Sequence, residues 1–347
     1  MQSARLNVVV AGAALAAALA VTDVVTEGQG QASNDYPNPY RIESWGQLPP
    51  GRKLGATAAI DIDRDGKSVW AFERCGGATC DGSALAPLLK FDSSGNLIAS
   101  FGAGMFVQPH GIFVDRDDNV WVTDSQGKGG KGQQVFKFSP TGRVLMTLGT
   151  AGVAGTGPDT FNQPSDVVMA QNGSIFVADG HGGESNARIV KFDKDGTFIK
   201  TWGQKGTGPG EFDTPHSLVM DDRGRLLVAD RGNSRIQMFD QEGKFLMEMK
   251  QFGRPSSIFV DRAGMLYSAD SQSNTPTVNP TVKRGIRVGA LGGGKVRFFV
   301  PDPDPIEPGQ AGGREGVAVD RDGIVYVSKT GDGGLFRYTR QPNGGTR

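Results

Sequence analysis

At 347 residues the chain is long enough for one large domain or two ordinary ones. Lysine plus arginine and aspartate plus glutamate balance at 37 each, which excludes a global field that would draw in nucleic acid or anionic lipid. The 52 glycines and modest aromatic content suit many short strands joined by tight turns, not helices.

The chain opens on a targeting signal. Arg5 supplies a weak positive region, Val8 to Val21 form an alanine-rich apolar run, and cleavable small residues follow at Ala18-Leu19-Ala20 or Gly30-Gln31-Ala32. The run is short for a membrane span, and nothing later is apolar enough to span. Residues 1–32 therefore read as signal peptide and leader, with an uncleaved anchor as the alternative. Residues 33–347 read as one domain, expected to be monomeric in the periplasm or outside the cell.

Next comes an isolated strand, YRIESWG at residues 40–46, followed by a pattern that recurs six times. The pattern is an apolar strand, an Asp/Gly-type turn, and a second strand ending near Asp. Its copies are AAIDIDRDGKSVWAFER, GIFVDRDDNVWVTDS, DVVMAQNGSIFVADG, SLVMDDRGRLLVADR, SIFVDRAGMLYSADS and GVAVDRDGIVYVSKT. The turns align Asp63, Asp115, Ala170, Asp221, Asp261 and Asp320 in one column, with steps of 52, 55, 51, 40 and 59 residues. Such periods signal propeller blades. Third and fourth strands follow each pair, clearest in ARIVKFDKDGTFIKTWG and SRIQMFDQEGKFLMEMK, so each blade is a four-stranded antiparallel sheet. The last blade ends one strand short. The strand at 40–46 supplies it and closes the ring, which removes exposed edges. The predicted fold is all-β, a six-bladed propeller. The connections Gln272 to Lys295 and Pro301 to Gly313, rich in Pro and Gly, read as long surface loops.

In blade one, RCGGATCDG brings Cys75 and Cys80 close across two glycines, and an exported chain would join them as a disulfide. The chain has three histidines. Five residues before the turn column, at the start of the innermost strands, the blades carry Ala58, His110, Ser165, His216, Ser256 and Glu315. Blades two, four and six thus place His110, His216 and Glu315 around one channel mouth. Two imidazoles and a carboxylate converging there suit a metal, most naturally zinc, with an open position. His181 lies after the second strand of blade three, at the same mouth. It could be a general base or acid, a fourth ligand, or the third in place of Glu315. Arg74 and Arg231, at comparable strand ends, suit a carboxylate or other oxyanion, or pair with the column Asp124, Asp179, Asp230 and Asp270. Those aspartates read as structural acceptors of backbone N–H groups.

The repeats resemble NHL repeats. Residues from about 40 to 340 are similar to peptidyl-α-hydroxyglycine α-amidating lyase, the lyase domain of peptidylglycine α-amidating enzymes. The matching stretches are QPHGIFVDRDDNVWVTD, FNQPSDVVMAQNGSIFVADG, SNARIVKF and TPHSLVMDDRGRLLVADRGNSRIQMF. The resemblance implies zinc held by three histidines of blades two, four and six. His110 and His216 match the first two, and Glu315 stands at the third. Arg74 and Arg231 match the family's essential arginines, and His181 stands at its catalytic tyrosine. Gly313 replaces the methionine two before the third ligand. Gly316 replaces an Asp that helps hold a structural calcium, which weakens that expectation. The implied reaction breaks a carbinolamide C–N bond to give an amide and glyoxylate. No copper monooxygenase domain is present to make such a substrate, so another small carboxylate-bearing carbinol is also open.

The expected function is an exported, metal-dependent lyase or hydrolase acting on a small or peptide-derived substrate. The alternative is a non-enzymatic NHL module that binds a protein or glycan. A lactonase-type calcium propeller would want several axial carboxylates, where this column offers Glu315 alone.

Overall fold

A computed structural model describes residues 32–292, 294–304 and 312–342. The predicted signal falls almost wholly outside them. β1 (Tyr40–Trp45) precedes six blades. Blade one holds β2 (Thr57–Ile62), β3 (Val69–Glu73), β4 (Leu88–Phe91) and β5 (Leu97–Phe101). Blade two holds β6 (Pro109–Val114), β7 (Val120–Asp124), β8 (Gln134–Phe138) and β9 (Val144–Leu148). Blade three holds β10 (Pro164–Met169), β11 (Ile175–Asp179), β12 (Arg188–Phe192) and β13 (Phe198–Trp202). Blade four holds β14 (Pro215–Met220), β15 (Leu226–Asp230), β16 (Arg235–Phe239) and β17 (Phe245–Met249). Blade five holds β18 (Ser257–Val260), β19 (Met265–Asp270), β20 (Gly285–Ala290) and β21 (Lys295–Pro301). Blade six holds β22 (Arg314–Val319), β23 (Val325–Lys329) and β24 (Leu335–Arg340), with β1 as its outer strand.

The ring closes as the repeat count requires. β1 runs antiparallel to β24 from Tyr40 opposite Arg340 to Trp45 opposite Leu335. Trp45 packs on Tyr326 of blade six and Phe91 of blade one, so one indole seals the seam. Between blades, aromatic wedges bury completely. Trp70, Phe72, Phe106 and Phe138 join blades one and two in one cluster, and their removal from water drives the blades together.

One expectation is corrected. The segment Gln272 to Lys295 is not one surface loop, because β20 lies inside it and pairs with both β19 and β21. The strand is hidden in the sequence because GIRVGA starts and is interrupted with glycine. Gly285 needs that identity: its φ is 141°, and a Cβ there would stand 2.1 Å from the Val300 carbonyl oxygen.

The six inner strands surround a central cavity of about 810 Å³ that reaches from His110 and His216 to the turn column at the opposite mouth. The inner strands are tied across blades by side chains. Asp61 Oδ2 accepts from Val114 N–H (2.7 Å), and Asp166 Oδ2 accepts from Leu218 N–H (2.8 Å). Ser217 Oγ and Ser257 Oγ accept in the same way from Ile258 and Val317 N–H. Burial pushes the Asp61 and Asp166 carboxyls up to about 7.

Candidate functional site

The site begins with two dipeptides, Pro109-His110 and Pro215-His216, that open β6 and β14. Gly111 lets blade three approach: a Cβ there would meet the Ser165 carbonyl oxygen and Asp166 Oδ1 at 2.6 Å. That approach brings His110 Nδ1 within 2.6 Å of the Ser165 carbonyl oxygen. His216 Nδ1 lies 2.5 Å from the Ser256 carbonyl oxygen of blade five. A carbonyl only accepts, so each Nδ1 carries the proton and each Nε2 keeps its lone pair. Carbonyl partners of this kind fix the tautomer of metal-binding histidines. The contribution of Ser165 and Ser256 to the histidines is main-chain, so side-chain identity could not reveal it.

His181 comes from the β11–β12 loop. Gly180 turns the chain at φ 145°, where a Cβ would stand only 1.7 Å from the Asn186 carbonyl oxygen. Ser185 Oγ accepts from the His181 N–H at 2.8 Å, and Asn186 Nδ2 donates to Asp179 Oδ2 at 2.7 Å. The loop so fixed aims the imidazole inward. His181 Nε2 lies 3.2 Å from His216 Nε2 and 3.4 Å from Arg231 Nη2. The ring centroids of the three histidines are 4.6 to 5.0 Å apart, and one donor atom from each lies within 4.8 Å of the others. Glu315 is beside them: Oε1 is 3.5 Å from His216 Nε2, while Oε2 accepts from Thr330 Oγ1 at 3.0 Å and Ser271 Oγ at 3.5 Å. The predicted site residues therefore gather at one mouth, and Ser271 and Thr330 join them unforeseen.

All three imidazoles are held neutral. Burial first, then the Arg74 guanidinium, pushes His110 down to about 3. Burial first, then neighbouring cationic groups, pushes His181 and His216 well below the ordinary value. Burial also pushes Arg231 down to about 10, partly countered by Glu315. Arg231 Nε is buried without a partner, and among the described residues no carboxylate lies within ion-pair distance of Arg231. Arg74 Nε donates to the Pro109 carbonyl at 3.2 Å. The aspartate column is occupied otherwise. Asp124 accepts from Val107 and Gln108 N–H, Asp179 from Asn162 N–H, Asp230 from Asp213 N–H and Asp270 from Arg254 N–H. Arg188 and Arg235, not Arg231, pair with Asp179 and Asp230. Cys75 and Cys80 form a disulfide directly after Arg74, which tethers the loop carrying it.

The donor set fits a borderline-soft divalent metal such as zinc: neutral imidazoles with free lone pairs, those of His110 and His216 buried and that of His181 half-buried, with His110 Nε2 lacking a partner among the described residues. At Gly316, where the resemblance implies an aspartate that helps hold a structural calcium, a Cβ would stand 2.4 Å from Ser328 Oγ.

A family model described as a 6-bladed beta-propeller matches residues 159–261. Human NHL repeat-containing protein 3 is 34% identical over 208 residues, covering 58% of this chain and 57% of that protein. The probable peptidyl-alpha-hydroxyglycine alpha-amidating lyase of Caenorhabditis elegans is 33% identical over 213 residues, covering 56% of this chain and 58% of that protein. The chain thus spans little more than half the length of these relatives. A solved gluconolactonase from Xanthomonas campestris superimposes with a TM-score of 0.59 at 14% identity, over 91% of this chain and 98% of that one. That likeness shows the fold alone. The chain is a six-bladed β-propeller that resembles NHL repeat-containing protein 3 and peptidyl-α-hydroxyglycine α-amidating lyase.

Proposed function

We propose that this chain is an exported, zinc-dependent lyase that cleaves a carbinolamide-type C–N bond in a small carboxylate-bearing substrate at the histidine mouth. The observation that carries the reading is the juxtaposition of a buried guanidinium on Arg231, with no carboxylate partner among the described residues, and three neutral imidazoles. A buried charge without a counter-ion is costly in the free protein, and a substrate carboxylate would relieve it. Arg74, on the tethered loop beside His110, supplies a second guanidinium, and charge-assisted bonds from the two would orient the carboxylate.

His110 and His216 would hold the zinc, which when bound polarises a substrate oxygen as a Lewis acid. In the reaction the C–N bond breaks, the carbinol carbon becomes an aldehyde, and the hydroxyl proton ends on the departing amide nitrogen. No redox partner is needed. One group can take that proton and return it. At this mouth the groups with free lone pairs are the imidazole nitrogens and Glu315 Oε1. The disulfide suits an oxidising compartment, in keeping with export of a monomeric enzyme.

The test is release of glyoxylate and benzamide, in equal amounts, from α-hydroxyhippurate by zinc-loaded protein. No release would exclude the strict lyase assignment. Tight binding of a glycan or protein ligand without turnover would favour a binding module, the reading that the likeness to NHL repeat-containing protein 3 supports.

A further inference from the structure

We infer that the third metal ligand is His181, from the loop of blade three, and that Glu315 stands outside the coordination shell. The inference rests on the zinc reading above, and it departs from the alternating-blade ring that the sequence column suggests.

His216 Nδ1 faces a carbonyl, so His216 Nε2 has a lone pair. His181 Nε2 faces Arg231 Nη2, which can only donate, so His181 Nε2 also presents a lone pair. These two nitrogens nevertheless lie 3.2 Å apart. A proton between them would satisfy that pair only by turning an N–H of His181 against the guanidinium. His110 Nε2 adds a third lone pair with no partner among the described residues. A metal cation satisfies all three nitrogens at once.

The spacing agrees. Zinc–nitrogen bonds of about 2.0–2.1 Å in a tetrahedron put neighbouring nitrogens about 3.3 Å apart. The His181–His216 pair is at 3.2 Å without any ion to draw it in. Glu315 approaches His216 at 3.5 Å, but the mutually close group comprises the three histidines without it. Its other oxygen is held by Thr330 and Ser271.

The test is zinc content of the full-length exported protein after dialysis against a weak chelator, with the visible spectrum of the cobalt-substituted form as a second readout. Wild type should hold about one zinc. His181→Ala and His181→Gln should lose it, with affinity down by more than about 1,000-fold and the cobalt bands altered. Glu315→Gln should keep stoichiometric zinc and an unchanged cobalt spectrum, weakened at most the 10–100-fold typical of an outer partner. Thermal unfolding of the metal-stripped variants separates ligand loss from misfolding. Retention by both His181 variants, or loss of zinc in Glu315→Gln, overturns the inference while leaving the zinc reading intact. Absence of zinc from folded wild type overturns the zinc reading itself.

Discussion

Replacing Arg231 by methionine should make the protein more stable and less active. The guanidinium is 5% exposed and has no carboxylate partner among the described residues. Burial pushes its proton affinity down to about 10, even with Glu315 pulling the other way. At about 1.4 kcal/mol per tenfold change, the charged form is disfavoured in the folded state by roughly 3 kcal/mol. The sign follows from the direction. The folded value lies below the unfolded one, so the full penalty applies below about pH 10, fades as pH rises from there to the unfolded value, and is gone above it. At neutral pH all of it is present. Methionine fills similar length without charge. It forfeits the contact with His181, at most about 1 kcal/mol at 3.4 Å. The net gain should approach 2 kcal/mol. By the usual entropy of unfolding per residue, that is a rise of about 3 °C in the melting point of metal-stripped protein. Activity should move oppositely. Losing charge-assisted bonds worth about 1.5–3 kcal/mol should cut kcat/KM for a carboxylate substrate about 10–150-fold, with little effect on its uncharged amide analogue. Scanning calorimetry and glyoxylate release measure the two effects. A fall in melting point of several degrees would refute the reasoning, because it would make Arg231 a structural residue.

Three further outcomes are expected. Asp61→Asn should gain on wild type as pH rises from about 4 to 7, by about 1.4 kcal/mol per pH unit, because the folded carboxyl is pushed up to about 7 and its ionisation destabilises the fold across that window. Urea midpoints at pH 5 and pH 8 measure this, and a constant difference would contradict it. Joint replacement of Cys75 and Cys80 by alanine should cost about 2 kcal/mol, the chain-entropy value for so short a loop, and should raise KM by loosening Arg74. Equal stability with and without reductant would count against the tether. Removing the chain up to Trp45 exposes the whole of β24, so light scattering should show more association or aggregation than in the full chain.

The fold was legible because six copies of one pattern over-determine it. Asp115, Asp221, Asp261 and Asp320 each accept the N–H groups two and four residues on, as Asp115 does from Asp117 and Asn119, and this local requirement stamps the period into the sequence. Even the closing strand could be read, since Tyr40 to Trp45 repeats the outer-strand composition. Blade five escaped in part. β20 is built from GIRVGA, whose glycines are demanded by neighbouring backbone and carry no hydrophobic signal. A strand defined by close approach looks like a loop when only side chains are read.

The same distinction explains what was seen of the site. His110, His216, Glu315, Arg74, Arg231 and His181 could be nominated because each places a reactive side chain at an aligned position. What the alignment could not supply was the proton on each imidazole, because the carbonyls of Ser165 and Ser256 decide it. Nor could it show that a loop nitrogen comes within 3.2 Å of a strand nitrogen. Column logic treats equivalent positions as equivalent donors and so ranks Glu315 with the two histidines. Tautomer logic ranks by available lone pairs and puts His181 in that place. Gly111 connects the two views: it is legible as a glycine after a histidine, yet its purpose lies in bringing the next blade's carbonyl onto Nδ1. Gly111→Ala should therefore push the blades apart at that point and weaken metal binding by the 10–100-fold of a lost outer partner, with His110 itself intact. Zinc affinity equal to wild type in that variant would show that the carbonyl does not set the tautomer.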